Sequence, residues 1–213
     1  MAEKILILGD SGSGKTTSLR NCDPESTFII QTKYKKLPWK GSAKQFVKNK
    51  NLAVATNYTD IIKILKYIEK KPEIKTVLWD DSNYFLTYGY KDCADETGFK
   101  KFETLAFRFM DILDFIDKMR DDLNFYITSH LQRDNEGHIS YKTIGKFLDE
   151  KVTIEGLFTV VMLGTGGDTD YRFIVNGVKP SKSPIGMFES KEFDNDLVQI
   201  NEIIKKYYEG DGK

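Results

Sequence analysis

Residues 4–16 read KILILGDSGSGKT, an apolar β-type run passing directly into Gly9-Asp10-Ser11-Gly12-Ser13-Gly14-Lys15-Thr16. The second part satisfies G-x-x-x-x-G-K-[ST] at every fixed position, and Thr16-Thr17-Ser18-Leu19-Arg20 is suited to open a helix. Glycines let the backbone curl so that successive N–H groups point at phosphate oxygens, and a helix N-terminus would add partial positive charge. Lys15 is then placed to reach the β- and γ-phosphates, with the Thr16 hydroxyl on Mg²⁺ and Gly9 through Thr17 forming the cradle. The alternative is a glycine-rich turn without a ligand, which the strand, loop and helix in register disfavour. Such a loop specifies a nucleoside triphosphate with Mg²⁺ and leaves the activity open.

The bulk properties narrow the field. At 213 residues, 40% apolar and 30% charged, with zero formal net charge, the chain has the balance of one globular domain spanning residues 1–213. Net neutrality argues for neither nucleic acid nor membrane, so any such case must rest on local clustering. Cys22 and Cys93 lack CxxC spacing, which disfavours a disulfide scaffold or zinc site and makes a reducing, cytoplasmic setting the expectation. No apolar run approaches the ~20 residues that a membrane span needs.

Short β-branched or aromatic runs alternate with helical patterns. Strands are expected at 4–8, 27–32, 52–56, 75–79, 124–129 and 157–163, several apolar on both faces as in a sheet covered on both sides. Helices are expected at 59–71, with Ile61, Leu65 and Ile68 in phase; at 99–120, with Phe102, Leu105, Phe109, Ile112, Ile116 and Met119 on one stripe; and at 199–209. Alternation of this kind implies an α/β fold, a mostly parallel central sheet with helices on both faces.

Thr76-Val77-Leu78-Trp79-Asp80-Asp81 is an apolar strand ending in two carboxylates. A phosphate-binding loop needs an Asp near the adjacent strand end to hold Mg²⁺, and Asp80 is the candidate. Asp81 can then orient or deprotonate an attacking water; otherwise Asp-Asp-Ser-Asn is simply good turn chemistry. The run 124–129 ends in Thr128-Ser129-His130, polar groups that would flank a γ-phosphate if that strand neighbours the other two. His130 is as readily a structural or exposed histidine.

The segments KKLPWKG (35–41), VLWDDSNYF (77–85), GFKKF (98–102), YITSHLQ (126–132), KTIGKFLDEKVTIEGLFTVV (142–161) and KSPIGMF (182–188) resemble, in the same order, those of phage-encoded RecA-like P-loop ATPases associated with recombination and single-strand annealing. The resemblance implies a RecA-like P-loop NTPase core, ATP and Mg²⁺ as ligands, and catalytic roles for Lys15, Asp80, Asp81 and His130. It also implies self-assembly on single-stranded DNA, with a phage single-strand-binding or annealing protein as a candidate partner, in the host cytoplasm without membrane attachment. The chain departs from the pattern at one position. RecA-type enzymes place a catalytic glutamate at the end of the strand after the P-loop helix, where this sequence offers Gln31 or Thr32. Glutamine positions a water without taking its proton.

Between Ser26 and Thr59 there is no acidic residue, while Lys33, Lys35, Lys36, Lys40, Lys44, Lys48 and Lys50 accumulate among Tyr34, Trp39 and Phe46. Lysines for phosphates and aromatic faces for bases are what a sequence-tolerant single-strand binder uses. The plainer reading is a solvated loop with Trp39 and Phe46 over the core. Residues 134–151 begin with turn chemistry and suit a hairpin or mobile loop. By resemblance they are a second DNA candidate, with Lys142 and Lys146 on phosphates. Lys146 and Lys182 are alternatively cations for a neighbour's nucleotide, and the segment 179–187 suits a connection held across a surface. Among competing activities, a kinase lid would need clustered arginines, and only Arg20, Arg108, Arg120, Arg133 and Arg172 occur, scattered. A guanine reader would need Asn-Lys-x-Asp, and Asn49-Lys50-Asn51-Leu52 lacks the acid. A nucleotide-binding scaffold or switch with little hydrolysis stays open through Gln31.

Overall fold

From the first strand, Ile5 and Ile7 point into one apolar cluster and Leu6 and Leu8 into another, all fully buried. Period-2 alternation of this kind requires a sheet covered on both faces. The computed structural model describes residues 1–93, 100–144, 152–167 and 170–210. Among them the strands are β1 (Glu3–Gly9), β2 (Thr27–Gln31), β3 (Leu52–Val54), β4 (Thr76–Asp80), β5 (Asn124–Ser129), β6 (Leu131–Arg133), β7 (Ile139–Tyr141), β8 (Val160–Thr165), β9 (Arg172–Ile174) and β10 (Glu192–Asp194). The helices are α1 (Ser42–Gln45), α2 (Tyr58–Glu69), α3 (Asn83–Asp92), α4 (Lys100–Asp117) and α5 (Leu197–Gly210).

Eight strands form one sheet in the order β10-β9-β8-β1-β5-β4-β2-β3. Pairings from β8 through β1, β5, β4 and β2 to β3 are parallel, and β9 and β10 add an antiparallel edge. β6 and β7 make a separate hairpin. The fold is therefore α/β with a mostly parallel eight-stranded central sheet. Leu6, Ile30, Trp79, Ile127 and Val161 face a cluster shared with α2, α3 and α4. Ile29, Leu78, Tyr126 and Met162 face one that holds Leu19, Phe46 and, from α5, Leu197, Ile200 and Ile204. None of the described helices is long and apolar enough to cross a membrane.

Most elements follow from local chemistry. α2 starts where the Asn57 side chain accepts the Asp60 N–H at 3.0 Å, buries Ile61, Leu65 and Ile68, and ends before Pro72. α4 buries Leu105, Phe109, Ile112 and Ile116, while Phe102 of the expected stripe is half-buried and stacks on Tyr90. Three expectations need correction. No α-helix follows the phosphate-type loop: Thr17–Leu19 is a single 3-10 turn. Pro24 disfavours helical geometry at Asp23, so the segment has no room to extend. β4 is not next to β1, because β5 lies between them. The stretch after Asp81 is more than a turn, since it runs directly into α3.

Trp79 is fully buried against Phe85 and Phe109, with ring centroids at 5.9 and 6.0 Å, and its indole N–H reaches Thr32 Oγ1 at 3.0 Å. Truncation leaves both a cavity and an unpaired hydroxyl. Trp79→Ala is expected to cost about 3–5 kcal/mol in denaturant unfolding. Trp39→Ala, at a half-buried edge, should cost less.

Candidate nucleotide-binding site

The parallel strands end together, and the residues just past their carboxyl ends build the site, as open α/β sheets do. From β1 comes the loop Gly9–Thr16. Gly12 and Gly14 have φ of +82° and +81°, a region costly for other residues. A Cβ on Gly14 would also come within 2.7 Å of the Tyr171 ring. Lys15 is buried and donates to the carbonyls of Gly9 and Asp10, both at 2.8 Å, so its ammonium lies folded over its own loop. Burial pulls its pKa down, opposed by the charges of Asp81 and Asp80. Ser13 Oγ is buried without a hydrogen-bond partner.

β4 ends in Asp80, 2% exposed. Its Oδ1 accepts from Thr16 Oγ1 at 2.9 Å and from Thr128 Oγ1 at 3.2 Å. Burial, then the neighbouring Asp81 charge, raise its pKa, while Lys35 and the two hydroxyls oppose the shift. Asp81 follows with φ +53°, its N–H held by Thr128 Oγ1 at 2.8 Å. Its carboxylate, 4% exposed, is ion-paired with Lys35 Nζ. The Lys35 pKa is raised: burial works against the ammonium, and the bond to Asp81 together with the charges of Asp80 and Asp81 outweighs it. His130 Nε2 lies 3.8 Å from Asp81 Oδ1, and its ring meets Tyr84 edge-on. Burial and the Lys15 cation lower its pKa, so it is neutral at neutral pH and the contact is not an ion pair there.

The candidate residues Lys15, Thr16, Asp80, Asp81 and His130 are thus brought together, because β1, β5 and β4 lie side by side in the sheet although they are not consecutive in the chain. Gln31, at the acid-expected position, is 1% exposed and fully committed. Its amide donates to the Lys35 carbonyl and accepts the Lys35 N–H, both at 3.2 Å. Thr32 receives the Trp79 indole N–H. The position is a clamp on the loop 32–35 rather than a vacant catalytic slot.

Two groups escaped the sequence reading. Arg133, at the end of β6, grips Asp10 through paired contacts at 3.0 and 3.3 Å, lowering the pKa of that carboxyl. Tyr171 covers Gly14 and borders a cavity of about 440 Å³ that Arg20, Asp194, Asp196 and Gln199 also line. Neither belongs to a motif with fixed spacing, so only the fold brings them to the loop.

The lysine-rich segment is divided by the fold. Trp39 does not offer an open stacking face: it is half-buried against Phe46 at 6.0 Å, and its N–H reaches Gln45 Oε1 at 2.6 Å. Tyr34 is 55% exposed, with Lys48 over its ring, and Lys33, Lys36 and Lys40 are exposed. The turn expected early in 134–151 joins β6 to β7, and Lys142, just past β7, is exposed. Lys146 lies outside the described residues. Lys182 bridges to Val161, level with Leu6 and three residues short of Gly9, so it is not at this chain's own loop.

The donor set fits a Mg²⁺-bound nucleoside triphosphate. The Ser13 hydroxyl is buried against Gly9 and Gly164 without a partner, the Lys15 ammonium rests on carbonyls of its own loop, and Thr16 with Asp80 presents an oxygen pair that would suit a Mg²⁺ ion held mainly by phosphates. Among the described residues no group of three or more His, Cys, Asp or Glu side chains is gathered for a metal ion. An ion held mainly by phosphates and water needs no such cage.

Converting the clamp to the expected acid tests its role. Gln31→Glu removes the donor to the Lys35 carbonyl and buries a carboxylate beside it. The expected outcome is a loss of roughly 1–3 kcal/mol of stability and no gain in nucleotide turnover, read by denaturant unfolding and phosphate release.

No family model matches the chain, and no curated protein matches it.

Proposed function

We propose that the chain is a Mg²⁺-dependent ATPase of RecA-like type that acts on single-stranded DNA and assembles with itself. The observation that carries this reading is the 2.9 Å contact joining Thr16 of the phosphate-type loop to the buried Asp80 at the end of β4. These two side chains are far apart in sequence, and their contact supports a loop and an acid that serve one ligand. The polar end of β5, inserted between β1 and β4, further supports it by placing Thr128 on Asp80 and His130 near Asp81.

In this reading the chain's own groups divide the work. Lys15 moves from the Gly9 and Asp10 carbonyls to phosphate oxygens, and Ser13 Oγ donates to another. Asp80 keeps the Thr16 hydroxyl oriented. Asp81 accepts the proton of the attacking water, and neutral His130 flanks that position. Bound Mg²⁺ would neutralise phosphate charge held between Thr16 and Asp80. This reading puts the nucleoside end in the cavity beside Tyr171 and Arg20, because Tyr171 covers Gly14 of the loop.

A second reading, a nucleotide-dependent switch with little hydrolysis, draws on the Lys35–Asp81 pair, which occupies the acid that the first reading uses as base, while Gln31 is committed to the Lys35 backbone. Phosphate release with and without single-stranded DNA separates the two. The first reading expects Mg²⁺-dependent release stimulated by the strand and lowered on the order of 100-fold or more in Lys15→Ala and Asp80→Asn. Unchanged release in Lys15→Ala would sink the ATPase assignment. Nucleotide binding with no turnover under any condition would leave the switch.

A further inference from the structure

The lysines of the acid-free segment do not all face solvent. Lys33, Lys36 and Lys40 are exposed, and Tyr34 beside them is 55% exposed. Lys35, in their midst, is turned inward with its ammonium on Asp81. We propose that Lys35 is a shared cation: it pairs with Asp81 in the state described here and with a phosphodiester when a single strand occupies the loop. Strand binding and the freeing of the Asp81 carboxylate are then one event. This rests on the reading of residues 33–40 as a nucleic-acid contact and of Asp81 as the acid beside the nucleotide.

The two partners differ in what can move. Asp81 is fixed: its side chain is buried, its φ is +53°, and its N–H is tied to Thr128 Oγ1. The Lys35 backbone is fixed as well, since Gln31 holds both its N–H and its carbonyl. The side chain between them is a flexible four-carbon stem that remains 46% exposed. It can therefore pivot from a clamped backbone between an inward carboxylate and an outward anion. A polyanion bound by Lys33 and Lys36, with a base on Tyr34, places phosphates within that swing. The lysine end of the pair is at the solvent edge, where a phosphodiester can reach the ammonium and compete for it against the buried carboxylate. When it opens, Asp81 Oδ2 loses its only cationic hydrogen-bond donor among the contacts described and becomes available to water.

Competition for one cation has a signature that does not involve nucleotide turnover. Binding of a fluorescent oligo-dT strand, without nucleotide, would be followed by anisotropy across a range of salt. Asp81→Asn, which removes the competitor, should tighten binding roughly two- to fivefold. Lys35→Met should weaken it and reduce the salt slope by about one, whereas Lys35→Arg should keep it near wild type. In the Lys35→Met background the gain from Asp81→Asn should vanish. Thermal melts of each variant confirm that folded protein is compared. An Asp81→Asn effect that is absent, or that persists at full size without Lys35, overturns the proposal. Strand binding that is absent in wild type overturns it too, together with the nucleic-acid reading of the loop. Failure of the ATPase reading would show separately, in phosphate release.

Discussion

A carboxylate at the end of a buried strand is costly unless its oxygens are satisfied and its charge is answered. Asp80 sits in that position, and much of the site can be understood as the answer to it. Thr16 and Thr128 donate to Oδ1 from two other strand ends. Lys15 and Lys35 provide nearby positive charge. Removing either hydroxyl would leave the carboxylate less satisfied in a low-dielectric setting, so the loop after β1 and the end of β5 are held in register by one acid, while the loop after β2 is tied to its neighbour Asp81. The arrangement suits an enzyme or switch whose ligand brings its own negative charge and its own cation, since both groups facing that ligand are already poised.

The phosphate-type loop has no α-helix directly behind it. A single 3-10 turn follows Thr16, so no long macrodipole points at the ligand. The compensation lies in side chains: the buried Lys15 ammonium, the unpartnered Ser13 hydroxyl, and the Arg133 guanidinium that ties Asp10 to the β6–β7 hairpin. The hairpin is thereby linked to the loop by an exposed ion pair, a contact modest in energy that fixes which surface borders the loop.

The parts visible in the sequence are those governed by local rules. The apolar alternation of residues 4–8, 27–32, 75–79 and 124–129 marks strands covered on both faces, and the phase of Ile61, Leu65 and Ile68 marks α2. Lys15, Thr16 and Asp80 are legible because fixed spacing and a strand-terminal acid carry chemical meaning. The short edge strands β9 and β10 are not, because three residues give too little periodicity. α3 was hidden by the turn chemistry of Asp81-Ser82-Asn83, which the fold overrides by burying Phe85 and Leu86. Gln31 looked like a missing glutamate, and only the backbone geometry of Lys35 shows what the amide holds. Lys35 itself looked like one more surface lysine; nothing in its neighbourhood sequence distinguishes an inward side chain from an outward one. Trp39 reads from sequence either as a stacking face or as a cover over the core, and its packing against Phe46 fits the cover.

The central claim is that the loop at 9–16 and Asp80 hold one Mg²⁺–nucleotide ligand. The most direct measurement is thermal unfolding with ATP and Mg²⁺, with ATP and a chelator, and with neither, for wild type and for Lys15→Ala. At a hundredfold excess over Kd, ligand linkage contributes about 2.7 kcal/mol, a rise of roughly 5–10 °C for a chain of this length. The account predicts that rise in wild type, reduced without Mg²⁺ and absent in Lys15→Ala. An unshifted melting temperature in wild type, or an equal shift in the variant, would contradict it.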